Sequence, residues 1–198
     1  NSLVHNRLSE VHLYRNHSCS KHQKMKTMEK YKILIVDDDI DILTVVSAIL
    51  KKEGYEVITA TDKVEGFKKA WAEKPDLAIL DVMMTTHFEG FEMAKEFSEN
   101  PEFKHMPVMM NSSIDILTTT NPSVQQMARE FRKDPNYKEL DVLLVKDTIT
   151  GNAGVDYKSE DGHSVWLSVD GFLRKPVEAA KLLKEVEALL ERQKAHMA

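Results

Sequence analysis

The sequence predicts an α/β fold of the doubly wound kind, a parallel sheet with helices on both faces. Short continuous apolar runs, such as Ile33-Leu34-Ile35-Val36 and Leu77-Ala78-Ile79-Leu80, suit strands buried on both sides. Segments with apolar residues at helical spacing alternate with those runs. Several runs also end abruptly in polar residues, and in such sheets the working crevice lies outside the carboxyl ends of the strands.

Lys32-Ile33-Leu34-Ile35-Val36 reads as the first strand and runs into Asp37-Asp38-Asp39. Ile40, Leu43, Val46 and Ile49-Leu50 then recur at helical spacing, with Asp39 favoured as N-cap and Gly54 as the stop. Val57-Ile58-Thr59-Ala60 is a second strand; Val64, Phe67 and Trp71 mark a second helix that ends before Pro75. Leu77-Ala78-Ile79-Leu80 is a third strand closing on Asp81, residues 91–97 are a third helix, and Val108-Met109-Met110 is a fourth strand. Phe172-Leu173 ends a fifth strand. An amphipathic helix follows from Val177 to about residue 195, with Leu182, Leu183, Val186, Leu189 and Leu190 inward.

The chain has 198 residues, 42% apolar and 30% charged, the balance of an ordinary globular protein. No apolar run is long enough for a membrane-spanning helix. Cys19, the single cysteine, cannot form an internal disulfide and suits a reducing, cytoplasmic setting. A net charge of −5 argues against nucleic acid as the main partner. Residues 1–30 hold six Lys/Arg against two Asp/Glu, and the rest of the chain carries −9. His5, His12, His17 and His22 are scattered there without apolar periodicity. Residues 1–29 are expected to be a disordered or expression-derived tail, with Met25 or Met28 as a candidate native start.

The strand ends carry the chemistry. Asp37 and Asp38 follow strand one, Asp81 strand three, Asn111-Ser112-Ser113 strand four, and Lys175-Pro176 strand five. Three carboxylates at one edge repel each other, and a hard divalent cation removes that repulsion; Mg²⁺ suits one or two carboxylates plus waters and a phosphate. A lysine and a hydroxyl beside it complete a place for a phosphoryl group.

These segments resemble the receiver domains of bacterial two-component response regulators. The resemblance rests on Ile33-Leu34-Ile35-Val36-Asp37-Asp38-Asp39, Leu80-Asp81-Val82-Met83-Met84, Pro107-Val108-Met109-Met110-Asn111-Ser112-Ser113 and Phe172-Leu173-Arg174-Lys175-Pro176. It covers roughly residues 31–113 and 165–195. It implies a flavodoxin-like five-stranded sheet of order 2-1-3-4-5 over residues 30–196. Asp81 would be the phosphoacceptor, and Asp37, Asp38, Asp81 and the Met83 carbonyl would bind Mg²⁺. Ser112 would contact the phosphoryl group, Lys175 would be its cationic partner, and Phe172 the aromatic switch. The Lys175–Pro176 bond would be cis. The implied partners are a sensor histidine kinase or histidine phosphotransfer protein, a downstream protein target, and a second copy in a homodimer.

Plainer readings stand beside these. Ser113, Met83 and Met84 suit packing, His87 suits an exposed loop, and Phe172 suits the core. The sequence departs from the family after Asp81, where Thr85-Thr86-His87-Phe88-Glu89-Gly90 replaces a Pro-Gly turn and is one residue longer. It departs again between the fourth strand and Lys175, where about 60 residues intervene; an insertion over about 114–169 is expected to remodel the surface receivers use for partners. Part of it repeats an earlier segment at a spacing of 34. Met93-Ala94-Lys95-Glu96-Phe97 matches Met127-Ala128-Arg129-Glu130-Phe131, Asn100-Pro101-Glu102-Phe103-Lys104 matches Asp134-Pro135-Asn136-Tyr137-Lys138, and Val108-Met109-Met110 matches Val142-Leu143-Leu144.

The repeat reads as a duplicated helix–turn–strand unit, with Asn121 and Pro122 as cap and first turn of the second helix. The first copy ends in Asn111-Ser112 and is assigned to the site, because the second ends in Val145-Lys146 without a hydroxyl. The second strand is not expected to wedge beside the first, since that would carry Lys175 outward by about 4.8 Å. Asp161-Gly162 suggests a hairpin between residues 155–157 and 165–167. With no output domain visible after the last helix, a stand-alone receiver acting by protein contact is expected. The alternatives are a pseudo-receiver scaffold that is never phosphorylated and a phosphohydrolase built on Asp37 and Asp39. The latter leaves Asp81 and Lys175 unexplained.

Overall fold

The computed structural model describes residues 30–84, 89–159 and 161–197. The N-terminal tail, with Cys19 and its four histidines, lies outside the described residues, as does His87 with its loop. Five strands, β1 (Lys32–Val36), β2 (Glu56–Ala60), β3 (Leu77–Asp81), β4 (Val108–Ser112) and β9 (Gly171–Arg174), form one sheet in the order β2-β1-β3-β4-β9. Every pairing in it is parallel. The fold is thus the doubly wound α/β sheet, with β9 in the place of the fifth strand.

Helix α1 (Ile40–Lys52) and helix α6 (Ala179–Met197) cover one face. There Leu43, Val46 and Leu50 meet Leu182, Val186, Leu189 and Leu190 over Ile33, Ile35, Ile79 and Met109. Asp39 caps α1, accepting from the amides of Asp41 and Ile42. Helices α2 (Lys63–Glu73) and α3 (Glu89–Glu99) lie on the opposite face. The inward side of α2 differs from the expected stripe. Val64 is 80% exposed and Trp71 48%, while Gly66 and Ala70 are buried. The reason is closeness: a Cβ on Gly66 would lie 2.6 Å from the Met93 methyl, so α2 meets α3 and the sheet through small residues. The last helix starts at Ala179, two residues after the expected start.

Between β4 and β9 the chain leaves this sheet and builds another, in the order β5-β6-β7-β8. Its strands are β5 (Ile116–Thr119), β6 (Val142–Asp147), β7 (Ala153–Lys158) and β8 (Ser164–Val169). β5 and β6 are parallel, whereas β6–β7 and β7–β8 are antiparallel. The β7–β8 hairpin is the one expected around Asp161-Gly162, with Gly162 at φ +77°. One side of the second sheet presents Leu144, Val155, Tyr157 and Leu167 to the cluster that holds Phe91, Phe97, Met110 and Phe172. The Phe91 and Tyr157 rings stack at 5.1 Å. The other side carries α4 (Val124–Phe131) through Val124, Ala128, Leu143 and Val145.

Helix α4 is followed by the short helix α5 (Pro135–Lys138), capped by Asp134. The expected cap of α4 is corrected: Ser123 occupies that position, and Asn121 instead closes a tight turn by accepting from the Ser123 amide. Pro122 therefore precedes the helix rather than opening it. The Arg132 guanidinium donates to the Tyr137 and Leu140 carbonyls, binds Asp156 at 2.8 Å and so ties the end of α4 to β7.

Candidate functional site

Parallel register builds the site. Val36 pairs with Leu80, Asp81 with Asn111, and Asn111 with Leu173. One step past Val36, Asp37 therefore stands beside Asp81, and Asp37, Asp81 and Asn111 leave the same side of the sheet. Lys175 follows β9, where its amide donates to the Ser112 carbonyl and continues the ladder. The Lys175–Pro176 peptide bond is cis.

Asp37, Asp81 and Ser112 are almost wholly buried, and Asp38 is exposed at the mouth. Lys175 Nζ lies 2.9 Å from Asp37 Oδ2 and 3.0 Å from Asp81 Oδ1, so one ammonium bridges two carboxylates. Asp37 Oδ1 accepts from the Asp39 amide, and its Oδ2 has the ion pair with Lys175 as its partner. Burial and the neighbouring Asp37 charge push Asp81 up to about 6, against the pull of Lys175 and a hydrogen bond from the Met83 amide. Burial works against the Lys175 ammonium, but the two carboxylates outweigh it and hold its pKa above the ordinary value.

The donor set fits a hard cation. Asp37, Asp38 and Asp81 each present an oxygen, and these atoms lie within 4.8 Å of one another. Two buried carboxylates that share a single ammonium are short of compensating charge, which an oxygen-seeking divalent ion supplies.

The other residues singled out in the sequence fall in different surroundings. Ser112 Oγ accepts from the Ile114 amide at 3.0 Å and so closes the turn after β4. Phe172 is 4% exposed on the opposite side of β9, in the core shared with the second sheet. Met84 is packed as expected, but Met83 is 42% exposed, and Ser113 is exposed too. Both turn outward because the strands have ended and no layer covers them. Gly90, in sequence the end of a loop, belongs to the first turn of α3. A Cβ there would come within 1.9 Å of the Asp81 carbonyl oxygen, so the start of α3 can rest against that strand end only with glycine. A glycine at a helix start after an acidic strand end was the available signal.

The chain thus sets an acid cluster and a lysine at the carboxyl edge of a parallel five-stranded sheet. Residues 33–143, more than half of the chain, match the response regulator receiver domain, and the chain belongs to that family of two-component signalling proteins. It is 47% identical over 68 residues to the alkaline phosphatase synthesis transcriptional regulatory protein PhoP of Bacillus subtilis, covering 34% of this chain and 28% of PhoP. It is 33% identical over 82 residues to the protein PilG of Pseudomonas aeruginosa, covering 41% of this chain and 60% of PilG. The chain thus spans less than two thirds of these relatives.

Among solved structures, the CheY-like receiver domain protein from Methanospirillum hungatei superposes with a TM-score of 0.54 at 23% identity, covering 84% of this chain and 98% of that one. The chemotaxis response regulator CheY4 of Vibrio cholerae does so with a TM-score of 0.50 at 27% identity, over 81% and 98%. The family match ends within β6, so β9 and Lys175 lie beyond it. No helix among the described residues is long and apolar enough to cross a membrane.

Proposed function

We propose that Asp81 is the phosphoacceptor of a receiver that takes its phosphoryl group from a sensor histidine kinase or a histidine phosphotransfer protein. The reading is carried by the ammonium of Lys175 seated between Asp37 and Asp81 at the strand ends. An Asp81 carboxylate oxygen attacks phosphorus as the P–N bond of the donor phosphohistidine breaks, and the imidazole leaves with the electron pair. Asp37, Asp38 and Asp81, with the Met83 carbonyl, would hold Mg²⁺, which when bound offsets the negative charge of the incoming phosphoryl group. Lys175 gives up part of its pairing with the carboxylates to meet a phosphoryl oxygen. Ser112 turns its hydroxyl from the local turn toward the same group, and most of the catalysis is positioning and charge neutralisation.

The product carries more charge and more acceptor oxygens than the carboxylate, so it favours one arrangement of the loops after β4 and β9 over another. Phe172 sits between that edge and the second sheet, and residues 114–169 are read as an insertion that receives the change. The output is contact with a downstream protein through that surface, or with a second copy of the chain. Intact-mass measurement after acetyl phosphate treatment tests the assignment. One phosphoryl group is expected on the wild type with Mg²⁺, and none after chelation or in Asp81→Asn. Undiminished labelling of Asp81→Asn would falsify the assignment.

A second reading, a scaffold that is never phosphorylated, draws on the size of the added sheet. The intact set of Asp37, Asp38, Asp81, Ser112 and Lys175 favours the first, and an unlabelled wild type would favour the second.

A further inference from the structure

Asn111 has no part in the chemistry described so far, yet it stands in the middle of it. It is 1% exposed, it is the register partner of Asp81, and its Oδ1 is buried without a hydrogen-bond partner. A buried acceptor left unpaired carries an uncompensated loss of hydration, and natural interiors rarely tolerate one without a purpose. Strand alternation defines its surroundings. Asp37, Asp81, Asn111 and Leu173 share one row across β1, β3, β4 and β9, so their side chains leave one face. Lys175, two residues past Leu173, leaves that face as well. Its Nζ reaches Asp37 and Asp81, which stand on the far side of β4. The lysine side chain therefore spans β4 on the face to which Asn111 belongs.

We propose that Asn111 is a positioning residue for Lys175, supplying a neutral acceptor for the ammonium when Asp37 turns its Oδ2 to a divalent cation. The proposal rests on the phosphoacceptor reading of the site. An ammonium has three donors, and Asp37 and Asp81 are the two carboxylates it pairs with. A cation on Asp37 withdraws one of these, and a buried ammonium short of partners is costly. Asn111 Oδ1 is an unbonded acceptor in the same row. Being uncharged, it holds the ammonium more weakly than a carboxylate does. The ammonium stays near Asp81 and is free to move on to a phosphoryl oxygen.

Three measurements on the full chain test this: Mg²⁺ affinity by calorimetry, the initial rate of labelling by acetyl phosphate at saturating Mg²⁺, and thermal unfolding without Mg²⁺. In Asn111→Leu, close in size but without the acceptor, Mg²⁺ binding weakens severalfold and labelling slows about tenfold, the scale of one charge-assisted hydrogen bond. The melting temperature of this variant rises, because an unpaired buried polar group has been removed. Asn111→Thr keeps an acceptor on a strand-favouring side chain and recovers most of both losses. A lowered melting temperature in Asn111→Leu would make Asn111 an ordinary packing residue and overturn the inference. So would Mg²⁺ affinity and labelling equal to wild type. A wild type that binds no Mg²⁺ and takes no label would instead overturn the phosphoacceptor reading beneath it.

Discussion

Two stretches of this chain, residues 89–112 and 123–146, are built alike and end differently. Each has a helix, then a turn that starts on Asn100 or Asp134, then a strand. The match extends to single atoms. Asn100 Oδ1 accepts from the Glu102 amide as Asp134 Oδ1 does from the Asn136 amide. Phe97 meets Phe103 edge-on at 5.2 Å, and Phe131 meets Tyr137 edge-on at 5.6 Å. Met106 and Leu140 both donate back to the carbonyl of the second ring residue. Local sequence therefore builds the same unit twice.

What the units do depends on their neighbours. The first strand lies between two parallel partners, β3 and β9, and delivers Asn111 and Ser112 to the acidic edge. The second has a parallel partner on one side and an antiparallel one on the other, and delivers Lys146 and Asp147 elsewhere. Lys146 pairs with Glu185 of α6 at 2.8 Å and pins the second sheet to the first domain layer. Asp147 is fully buried and spends its oxygens on the Ile149 and Thr150 amides and the Thr150 hydroxyl. A carboxylate so fully bonded is a structural brace, whereas Asp81 is buried beside the like charge of Asp37, and its pKa is pushed up.

The sharpest way to break this contrast is to exchange the two acids for amides. Asp81→Asn loses all labelling by acetyl phosphate, while Asp147→Asn keeps it and shows a lower melting temperature. Label lost from Asp147→Asn in a folded protein would put chemistry in the wrong copy. Next in size are the ring pairs. Phe97 is fully buried and Phe131 only half so; Phe97→Ala should cost about 3–5 kcal/mol in denaturant unfolding and Phe131→Ala clearly less. Equal losses would mean that the second sheet protects its unit as well as the first.

Acidity separates the copies more gently. At limiting Mg²⁺, labelling should rise between pH about 5 and about 7, as Asp81 with its pKa of about 6 gives up its proton. Asp147 is held below its ordinary 3.8 by the Thr150 hydroxyl and by backbone amides. A depressed folded pKa adds stability above the ordinary value and loses it as the pH falls through the folded one. Acid unfolding of Asp147→Asn should accordingly be less steep below pH about 4 than that of wild type. The smallest effect belongs to Lys146→Ala, a partly exposed ion pair worth about 0.2–1 kcal/mol, with labelling unchanged.

Much of the site was legible in the chain itself. Four runs of apolar residues stop at Asp37, Asp81, Ser112 and, through Phe172-Leu173, Lys175, and a parallel sheet must bring such ends to one edge. The Asp39 cap and the β7–β8 hairpin also follow from near-neighbour chemistry. The inward face of α2 did not, because small residues at 66 and 70 face the sheet where apolar periodicity pointed to Val64 and Trp71. Nor did Gly90, whose constraint comes from a carbonyl nine residues earlier.

Local pattern, then, determined the strands, most of the helices, the duplicated unit and the acidic edge, since each depends on residues a few positions apart. Only the tertiary structure decided that the residues between β4 and β9 build a second sheet of their own, that Phe172 is walled in by it, and that the Asn111 side-chain oxygen is buried without a hydrogen-bond partner. Those facts depend on which surfaces exclude water from one another, and hydrophobic burial has no direction along the chain that a reading of neighbours could follow.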